Sequence, residues 1–279
     1  MKYYFIFLIV ILLINSQQGC KEKCEDSLLT IEELQDLQKS GQAEQTNGKE
    51  KIWGDDRIQS VNVIERELLY SDDFENLSNW QHEGIGALDQ PDTNLLQLNC
   101  IGAKQGAAGC MAFCKKDFPD SIIIEYALKV LSTNGLVINF LAFQGRHGED
   151  MLVDLPAREG IFADYVYNPE IRGYHVSVSR YDDTGQHTGV SNWRRNPGLF
   201  LMAQQEDLCK EPLQWYQIRI VKMNGTLQMW VNDHFSGGFK DLDQIPEPIP
   251  GKGKIGFRAI GKNVVAQFKG FKVYAIDNE

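Results

Sequence analysis

Residues 216–232 read YQIRIVKMNGTLQMWVN and predict a β-hairpin. Two strand-like runs, residues 216–223 and 226–232, flank the dipeptide Asn224-Gly225. Asn-Gly accepts the positive φ angles of a type I′ turn, the tight connection that joins two neighbouring strands of a hairpin. This stretch is the most clearly defined local structure in the sequence, and it indicates a β-protein.

Strand-like patterns recur from about Glu67 onward. In residues 122–130 every second side chain is apolar, and Glu125 and Lys129 lie on the opposite face, as in a strand with one buried face. Residues 136–143 are almost continuously apolar, which is typical of a central strand that is covered on both sides. Both patterns predict strands that pack around a common core.

The carboxyl-terminal part of the chain continues this pattern. Residues 254–260 and 264–274 predict a further hairpin, joined around Gly261. Many short strands, regularly spaced turn signals and almost no helix indicate an all-β fold. We therefore expect a β-sandwich of two antiparallel sheets over residues 67–279.

The amino-terminal residues 1–19 have the features of a signal peptide. Lys2 precedes the apolar run Tyr3–Ile14, which is too short to span a bilayer comfortably. Cys20 follows Gly19 at the end of this segment, so we predict a lipoprotein cleavage site with the lipid on Cys20. Ordinary cleavage is the alternative. The expected location is the periplasm or the cell surface, with the lipid as the protein's link to a membrane.

Residues 20–66 are predicted to form a lipid-anchored helix and linker. Thr30 followed by Glu33 fits a capping box at the start of a helix. The apolar residues of this helix recur at helical spacing, at Ile31, Leu34 and Leu37. Residues 41–51 are rich in Gly, Gln, Asn and Lys and are interpreted as linker.

The chain is acidic, with 28 Lys and Arg against 38 Asp and Glu and a formal net charge of −10. Phosphate contacts need a positive footprint, so this balance argues against a nucleic-acid partner. Arg180, Arg194 and Arg195 stand out as a local cationic cluster against that background. We interpret the cluster as a site for an anionic ligand.

Five cysteines besides Cys20 form no tight framework, which argues against a disulfide scaffold, although an oxidising compartment permits a bridge. No spacing among them suggests structural zinc. We interpret most of them as small buried apolar residues. They are Cys24, Cys100, Cys110, Cys114 and Cys209.

The main candidate site lies in residues 174–204, YHVSVSRYDDTGQHTGVSNWRRNPGLFLMAQ. Alternation along the first strand puts four polar side chains on one face and leaves Arg180 at the end of the apolar face. A face of this kind is suited to the hydroxyls of a sugar, and a solvated outer face is the alternative. The four residues are His175, Ser177, Ser179 and Tyr181.

The following loop adds His187, Asn192, Trp193, Arg194 and Arg195. Arginine presents a planar fork of donors that matches a carboxylate or sulfate, and Asn can bridge a sugar hydroxyl. Trp193 offers an aromatic platform for a pyranose face. The alternative is a solvated loop whose arginines pair with the abundant acids of the chain.

A second cluster, QGRHGED at residues 144–150, follows the central strand and includes Arg146. Its charged groups could supply binding groups at the rim of a sheet. No cofactor is required by any motif, but a calcium site formed by Glu149, Asp150 and Asp154 is conceivable. The spacing is not that of an EF-hand loop, and a charged surface loop is the alternative.

The chain resembles the YesU-like proteins, a family of unknown function with a concanavalin-like jelly-roll fold. The resemblance runs from about Tyr70 to the carboxyl end. It is carried by YSDDFENLSNW at 70–80, GRHGED at 145–150, YHVSVSR at 174–180, NWRRNPGLFLMAQ at 192–204, KIGFRAI at 254–260 and KGFKVY at 269–274.

The resemblance implies a jelly-roll sandwich and a setting of polysaccharide utilisation, notably of rhamnogalacturonan. It implies an acidic oligosaccharide or polysaccharide as partner. It also nominates matching polar positions at Arg146, His175, Arg180, Asn192, Arg194 and Arg195.

The leading hypothesis is elimination on a uronate-containing oligosaccharide of a pectin-like or ulvan-like polymer, by a lyase or dehydratase. His175 would remove the proton next to the carboxylate, and Tyr181 or His187 would return one to the leaving oxygen. The groups that neutralise the carboxylate would be drawn from Arg180, Arg194, Arg195 and Asn192.

Two alternatives remain open. A lectin-like binding module would use the same arginines and Trp193 without a base. A jelly-roll hydrolase would use Glu149 or Asp150 as acid, although a mechanism with two carboxylates is disfavoured because adjacent residues on a strand face opposite ways.

Overall fold

The computed structural model describes residues 28–43, 49–61, 63–101, 108–261 and 263–276. The predicted signal peptide, Cys20 and Cys24 lie outside these residues. In the described part of the chain, no helix combines the length and the apolar character needed to cross a bilayer.

Strands dominate the described residues, with two short helices. The helices are α1 (Ile31–Ala43) and α2 (Ala163–Val166). The strands are β1 (Gly54–Asp55), β2 (Glu65–Asp72), β3 (Trp80–Gly84), β4 (Ala87–Asp89), β5 (Leu96–Asn99), β6 (Cys110–Cys114), β7 (Ile122–Val130), β8 (Gly135–Gly145), β9 (Ile171–Tyr181), β10 (Val190–Asn196), β11 (Phe200–Glu206), β12 (Tyr216–Met223), β13 (Thr226–Val231), β14 (His234–Asp241), β15 (Lys254–Ile260) and β16 (Val265–Ile276).

Two antiparallel sheets pack face to face. The nine-stranded sheet has the order β1-β14-β13-β12-β7-β16-β5-β4, with β2 also paired to β16. The seven-stranded sheet has the order β11-β10-β9-β8-β15-β6-β3. The main hydrophobic core lies between them and draws on strands of both sheets. The predicted all-β sandwich is confirmed.

The hairpin predicted at residues 216–232 is confirmed as β12 and β13. Met223 pairs with Thr226 across the turn, and Asn224 and Gly225 have φ angles of 48° and 75°. The predicted alternation of β7 is also confirmed, because its alternate apolar side chains enter the main core. These residues are Ile122, Ile124, Tyr126, Leu128 and Val130.

The predicted hairpin at the carboxyl end is wrong. β15 lies between β6 and β8 in the seven-stranded sheet, whereas β16 lies between β7 and β5 in the nine-stranded sheet. The turn at Gly261 therefore carries the chain from one sheet to the other. A side chain at Gly261 would lie 2.6 Å from the Cα of Gly135, so the crossing needs a residue without a Cβ.

Helix α1 begins as the capping box predicts. The Thr30 amide donates to Glu33 Oε2 at 2.7 Å, and the Glu33 amide donates to Thr30 Oγ1 at 3.2 Å. Leu34 is fully buried in the main core, with Leu29 and Leu37 packed beside it. The helix is therefore held against the sandwich by its apolar face.

The end of the predicted linker and the residues that follow it differ from the prediction. Trp53 is 5% exposed and packs edge-to-face on Phe200, with 5.1 Å between the ring centroids. Strand β1 pairs with β14 at the edge of the nine-stranded sheet. The polar composition of residues 49–55 does not predict this packing, because the packing depends on one aromatic residue, Trp53. Residues 49–55 therefore belong to the packed domain.

The outer face of the seven-stranded sheet is partly covered by a second hydrophobic cluster. The connection between β8 and β9 folds back and packs Tyr165 and Val166 of α2 against Ile138, Phe140 and Phe143 of β8. Strand β8, the middle strand of this sheet, is thus covered on both sides, as its continuous apolar run predicts.

Candidate functional site

A pocket of about 340 Å³ opens on the outer face of the seven-stranded sheet, beside the second hydrophobic cluster. Strands β8, β9, β10 and β15 form it together with Phe162 and Leu199 from the connections beside them. Its polar side chains are His175, Ser177, Arg180, Asn192, Arg194 and Arg258. Its apolar side chains are Leu136, Ile138, Phe162, Leu199 and Ile260.

Strand alternation and register bring these residues together. Arg194 of β10 is directly opposite His175 of β9. Ser177 of β9 is opposite Ile138 of β8, which in turn is opposite Arg258 of β15. The pocket therefore collects outward-facing side chains from four adjacent strands, while the inward-facing residues of β9 enter the main core.

Arg180 reaches the pocket because β9 is irregular at Ser179. Ser179 has a φ of 50°, and the register with β8 shifts over this stretch. An irregularity of this kind breaks the alternation of side chains. The prediction that Tyr181 shares the face of His175, with Arg180 on the apolar face, is therefore wrong. Arg180 lines the pocket, and Tyr181 does not.

Tyr181 and His187 form a separate group near the end of β9. The Tyr181 hydroxyl donates to the carbonyl of Lys210 at 2.8 Å, and its ring packs edge-to-face on His187. His187 Nε2 lies 3.0 Å from Asp207 Oδ2. Of the three residues proposed as catalytic, only His175 lines the pocket.

Trp193 and Arg195 face the interior and not the pocket. Trp193 is fully buried, packs on Phe239 and donates from Nε1 to Gln205 at 3.0 Å. Arg195 is 1% exposed and forms an ion pair with Asp241 at 2.8 Å. The predictions that these residues contact a ligand are wrong, because their strand positions point between the sheets.

Arg146 is also committed to the protein. Its guanidinium pairs with the Glu247 carboxylate and donates to the carbonyl of Leu29. It is buried and lies outside the pocket. These contacts tie Leu29, near the beginning of the described residues, to the sandwich and engage the guanidinium of Arg146 within the protein.

The acidic residues of the adjacent loop have separate partners. Asp150 Oδ2 pairs with Lys254 at 2.7 Å, and Glu149 Oε2 accepts from the His147 amide. Asp154 Oδ2 accepts from the Asp150 amide at 2.8 Å. Across the residues that the structure describes, no group of three or more His, Cys, Asp or Glu could hold a metal ion.

Arg194 lines the pocket but already has a carboxylate partner. Its Nη1 and Nη2 donate to the two oxygens of Glu50 at 2.6 and 2.7 Å, and Nη1 also donates to the carbonyl of Leu199 at 2.7 Å. Glu50 belongs to the segment that leads into β1. One cation of the pocket is thus neutralised by the chain itself.

The guanidinium of Arg180 contacts a backbone carbonyl. Its Nη1 donates to the carbonyl of Val190 at 3.3 Å, and its buried Nε has no hydrogen-bond partner among the described residues. Burial lowers the pKa of Arg180, against the opposing effect of Asp207. A partly buried guanidinium whose buried Nε donor is unsatisfied is stabilised by an incoming anion.

Arg258 is a pocket residue that the sequence analysis missed. It is 1% exposed, and its guanidinium lies 4.7 Å from the centre of the Phe162 ring. Burial lowers its pKa to about 10. The sequence does contain a signal for this residue, because Arg258 lies inside the largely apolar segment KIGFRAI. Burying a charge in a strand that is covered on both sides costs free energy, so such an arginine is a candidate site residue.

His175 is buried between aromatic rings. It is 3% exposed and packs edge-to-face on Phe140 and Phe162. Burial lowers its pKa well below the usual value, and Arg194 and Arg258 add to this effect. Asn196 Nδ2 lies 2.9 Å from His175 Nδ1. The imidazole is therefore neutral at pH 7 and a weak base.

The family described as "Domain of unknown function (DUF1961)" matches residues 67–273. The chain belongs to this family. The DUF1961 region contains every residue that lines the pocket and leaves out Glu50.

Two proteins similar to this DUF1961 chain come from Bacillus subtilis. The uncharacterized protein YesU of Bacillus subtilis (strain 168) is 26% identical over 204 residues, which are 71% of this chain and 90% of YesU. A crystal structure from Bacillus subtilis, of a protein of unknown function with a galectin-like fold, is 25% identical with a TM-score of 0.70. It covers 78% of this chain and 100% of that one. The resemblance to the YesU-like family is confirmed.

A more distant structure shares only the fold. The potassium-bound carbohydrate recognition domain of Emp46p is 13% identical with a TM-score of 0.51, over 74% of this chain and 93% of that one. Together with the galectin-like structure, it agrees with the jelly-roll class of sandwich.

Proposed function

We propose that this protein binds an acidic saccharide in the pocket on the seven-stranded sheet and does not cleave it. The observation that carries the proposal is the presence of two guanidinium groups in the pocket lining, the partly buried Arg180 and the fully buried Arg258. Buried cations with lowered pKa values gain from an anionic ligand, because the ligand replaces the water that burial removed.

The remaining lining residues suit a sugar. Asn192 is partly exposed and offers amide donors and acceptors, and Ser177 contributes a hydroxyl. Phe162 and Leu199 provide apolar surface for the C–H face of a ring. A pocket of about 340 Å³ is of the size that small ligands occupy, so it suits one or two sugar rings.

The ligand class follows from the charge pattern. Arginine forks match carboxylates in two parallel hydrogen bonds, which favours a uronate over a neutral sugar. We propose uronate-containing oligosaccharides of a pectin-like, rhamnogalacturonan-like or ulvan-like polymer. Jelly-roll sandwiches include lectin domains, so the fold is compatible with binding alone. The predicted signal peptide and lipid on Cys20 would place the site at the periplasm or cell surface.

Elimination has weaker support than binding. His175 lines the pocket beside Arg194, as an eliminating base would, but its lowered pKa makes it a poor proton acceptor. Tyr181 and His187, the candidate proton donors, lie outside the pocket. A hydrolase that uses Glu149 or Asp150 also lacks support, because neither residue lines the pocket.

A panel of acidic oligosaccharides tests the proposal. Binding is measured by calorimetry, and products are followed by the ultraviolet absorbance of unsaturated uronates and by reducing-end assays. We expect saturable binding with neither signal. Growth of the unsaturated-uronate absorbance would show a lyase, and new reducing ends without it would show a hydrolase. Failure to bind any acidic oligosaccharide would reject the proposal.

A further inference from the structure

Two cysteines from opposite sheets meet at the edge of the sandwich. Cys100 directly follows β5 of the nine-stranded sheet, and Cys110 is the first residue of β6 in the seven-stranded sheet. Both side chains are buried, with exposed fractions of 3% and 0%. Along the chain they are separated by residues 101–109, which read IGAKQGAAG.

Each thiol contacts a strand next to the other cysteine. Cys100 Sγ lies 3.5 Å from the carbonyl oxygen of Ala259, and Ala259 is the register partner of Cys110. Cys110 Sγ lies 3.2 Å from the carbonyl oxygen of Ala87, which is paired with Asn99 beside Cys100. The two contacts cross, so each thiol lies against backbone that adjoins the other cysteine.

The two thiols also influence each other's ionisation. Their mutual interaction is the main cause of a lowered pKa at Cys100 and of a raised pKa at Cys110. Arg258 adds a smaller lowering effect at Cys100. Cys100 is therefore the thiol of the pair that ionises first and becomes the nucleophile.

We propose that Cys100 and Cys110 form a disulfide that ties the two sheets together. The reaction needs a disulfide donor, such as oxidised glutathione or a protein disulfide. The Cys100 thiolate attacks one donor sulfur and releases one glutathione thiolate. The Cys110 thiolate then attacks the Cys100 sulfur and releases the second. The two cysteine protons end on the two glutathione molecules, so two thiols and one donor give one bridge and two reduced glutathiones.

A proton acceptor lies beside the pair. The exposed His82 has its Nε2 3.6 Å from Cys110 Sγ, so it can carry the second proton towards solvent. Within the described part of the chain, no three His, Cys, Asp or Glu side chains are arranged so that they could hold a metal ion, so we do not assign these residues to a metal site. The predicted signal peptide would deliver the chain to a compartment in which disulfides persist.

The bond is detected by peptide mapping. The purified full-length chain is equilibrated with either reduced or oxidised glutathione, denatured, alkylated and digested. We expect the oxidised sample to yield a peptide pair linked through Cys100 and Cys110, while Cys114 and Cys209 carry the alkyl label in both samples. Alkylated Cys100 and Cys110 after oxidation, or a link from either to another cysteine, would overturn the proposal.

A stability measurement separates the bridge from general oxidation. Closing the short loop should raise the Tm of the oxidised protein by roughly 5–10 °C above that of the reduced protein. The double variant Cys100→Ser/Cys110→Ser should lose this dependence on the donor, and the control Cys114→Ser should keep it. An equal shift in the double variant would contradict the proposed bridge.

Discussion

Glu50 binds Arg194 through both carboxylate oxygens, at 2.6 and 2.7 Å, at the wall of the pocket. This is the paired geometry in which an arginine binds a carboxylate ligand. Glu50 lies in the segment before residues 67–273, the part of the chain that matches the family. The Glu50 carboxylate thus pairs with an arginine that would otherwise be open to a ligand in the pocket.

Replacing Glu50 with Gln should strengthen binding of an acidic oligosaccharide. The change releases Arg194 from its ion pair, and the pair is partly exposed, so we expect a gain of about fivefold. Calorimetric titration measures the affinity. Glu65→Gln is the matched control, because Glu65 pairs with Arg219 on the other sheet. An affinity that stays the same or falls in Glu50→Gln would show that Glu50 does not compete with the ligand.

Replacing Arg258 with Lys should weaken the same binding about tenfold while the fold persists. Lysine keeps the charge but loses the planar fork and the contact of the guanidinium with the Phe162 ring. The far-ultraviolet circular dichroism and the Tm check the fold. Arg219→Lys serves as the control on the nine-stranded sheet and should leave the affinity unchanged. Undiminished binding by a folded Arg258→Lys protein would exclude this residue from recognition.

Replacing Trp53 with Ala should lower the free energy of unfolding by about 3 kcal/mol. The loss comes from a buried indole that packs on Phe200 and from the cavity it leaves. Ile52→Ala is the control, since Ile52 is 40% exposed and should change the stability by less than about 1 kcal/mol. Urea denaturation measures both. Equal, small effects would mean that this segment is a linker after all.

The stability of the fold should depend on pH through His175. Its pKa is lowered in the folded protein by burial, so between that value and about 6.5 the unfolded chain binds more protons. The free energy of unfolding should therefore fall as pH drops below 6.5, by up to about 1.4 kcal/mol per pH unit, with no contribution from His175 above that value.

His175→Gln should remove this component, because glutamine keeps a hydrogen-bond acceptor for Asn196 but does not titrate. Urea denaturation of both proteins at pH 5, 6 and 7 isolates the contribution of His175 from that of the other histidines. Parallel pH profiles for the two proteins would show that His175 has an ordinary pKa.

Local signals in the sequence were enough to predict several individual strands, turns and helix ends. The Asn224-Gly225 turn, the Thr30 capping box and the alternation of residues 122–130 each depend on neighbours only a few positions away. The sheet to which β16 belongs could not be read in this way. A short turn at Gly261 suits a hairpin and a crossing between sheets equally well, and the choice depends on distant strands.

The candidate site was predictable only in part for the same reason. Alternation correctly separates His175 and Ser177 from the core residues of β9, but the irregularity at Ser179 reverses the roles of Arg180 and Tyr181. The acids that pair with the arginines are far away in sequence. Asp241 for Arg195 and Glu50 for Arg194 become visible as partners only in the folded chain.

The most direct test of the account compares one acidic oligosaccharide with its carboxyl-reduced, neutral counterpart. The wild-type protein should bind the acidic form at least about tenfold more tightly, because a carboxylate can accept a hydrogen bond from the unsatisfied donor of Arg180. Arg180→Gln should lose most of this preference, whereas Gln217→Ala, an exposed change on the nine-stranded sheet, should keep it. Equal affinity of the wild-type protein for the two sugars would contradict a pocket built for an anionic saccharide.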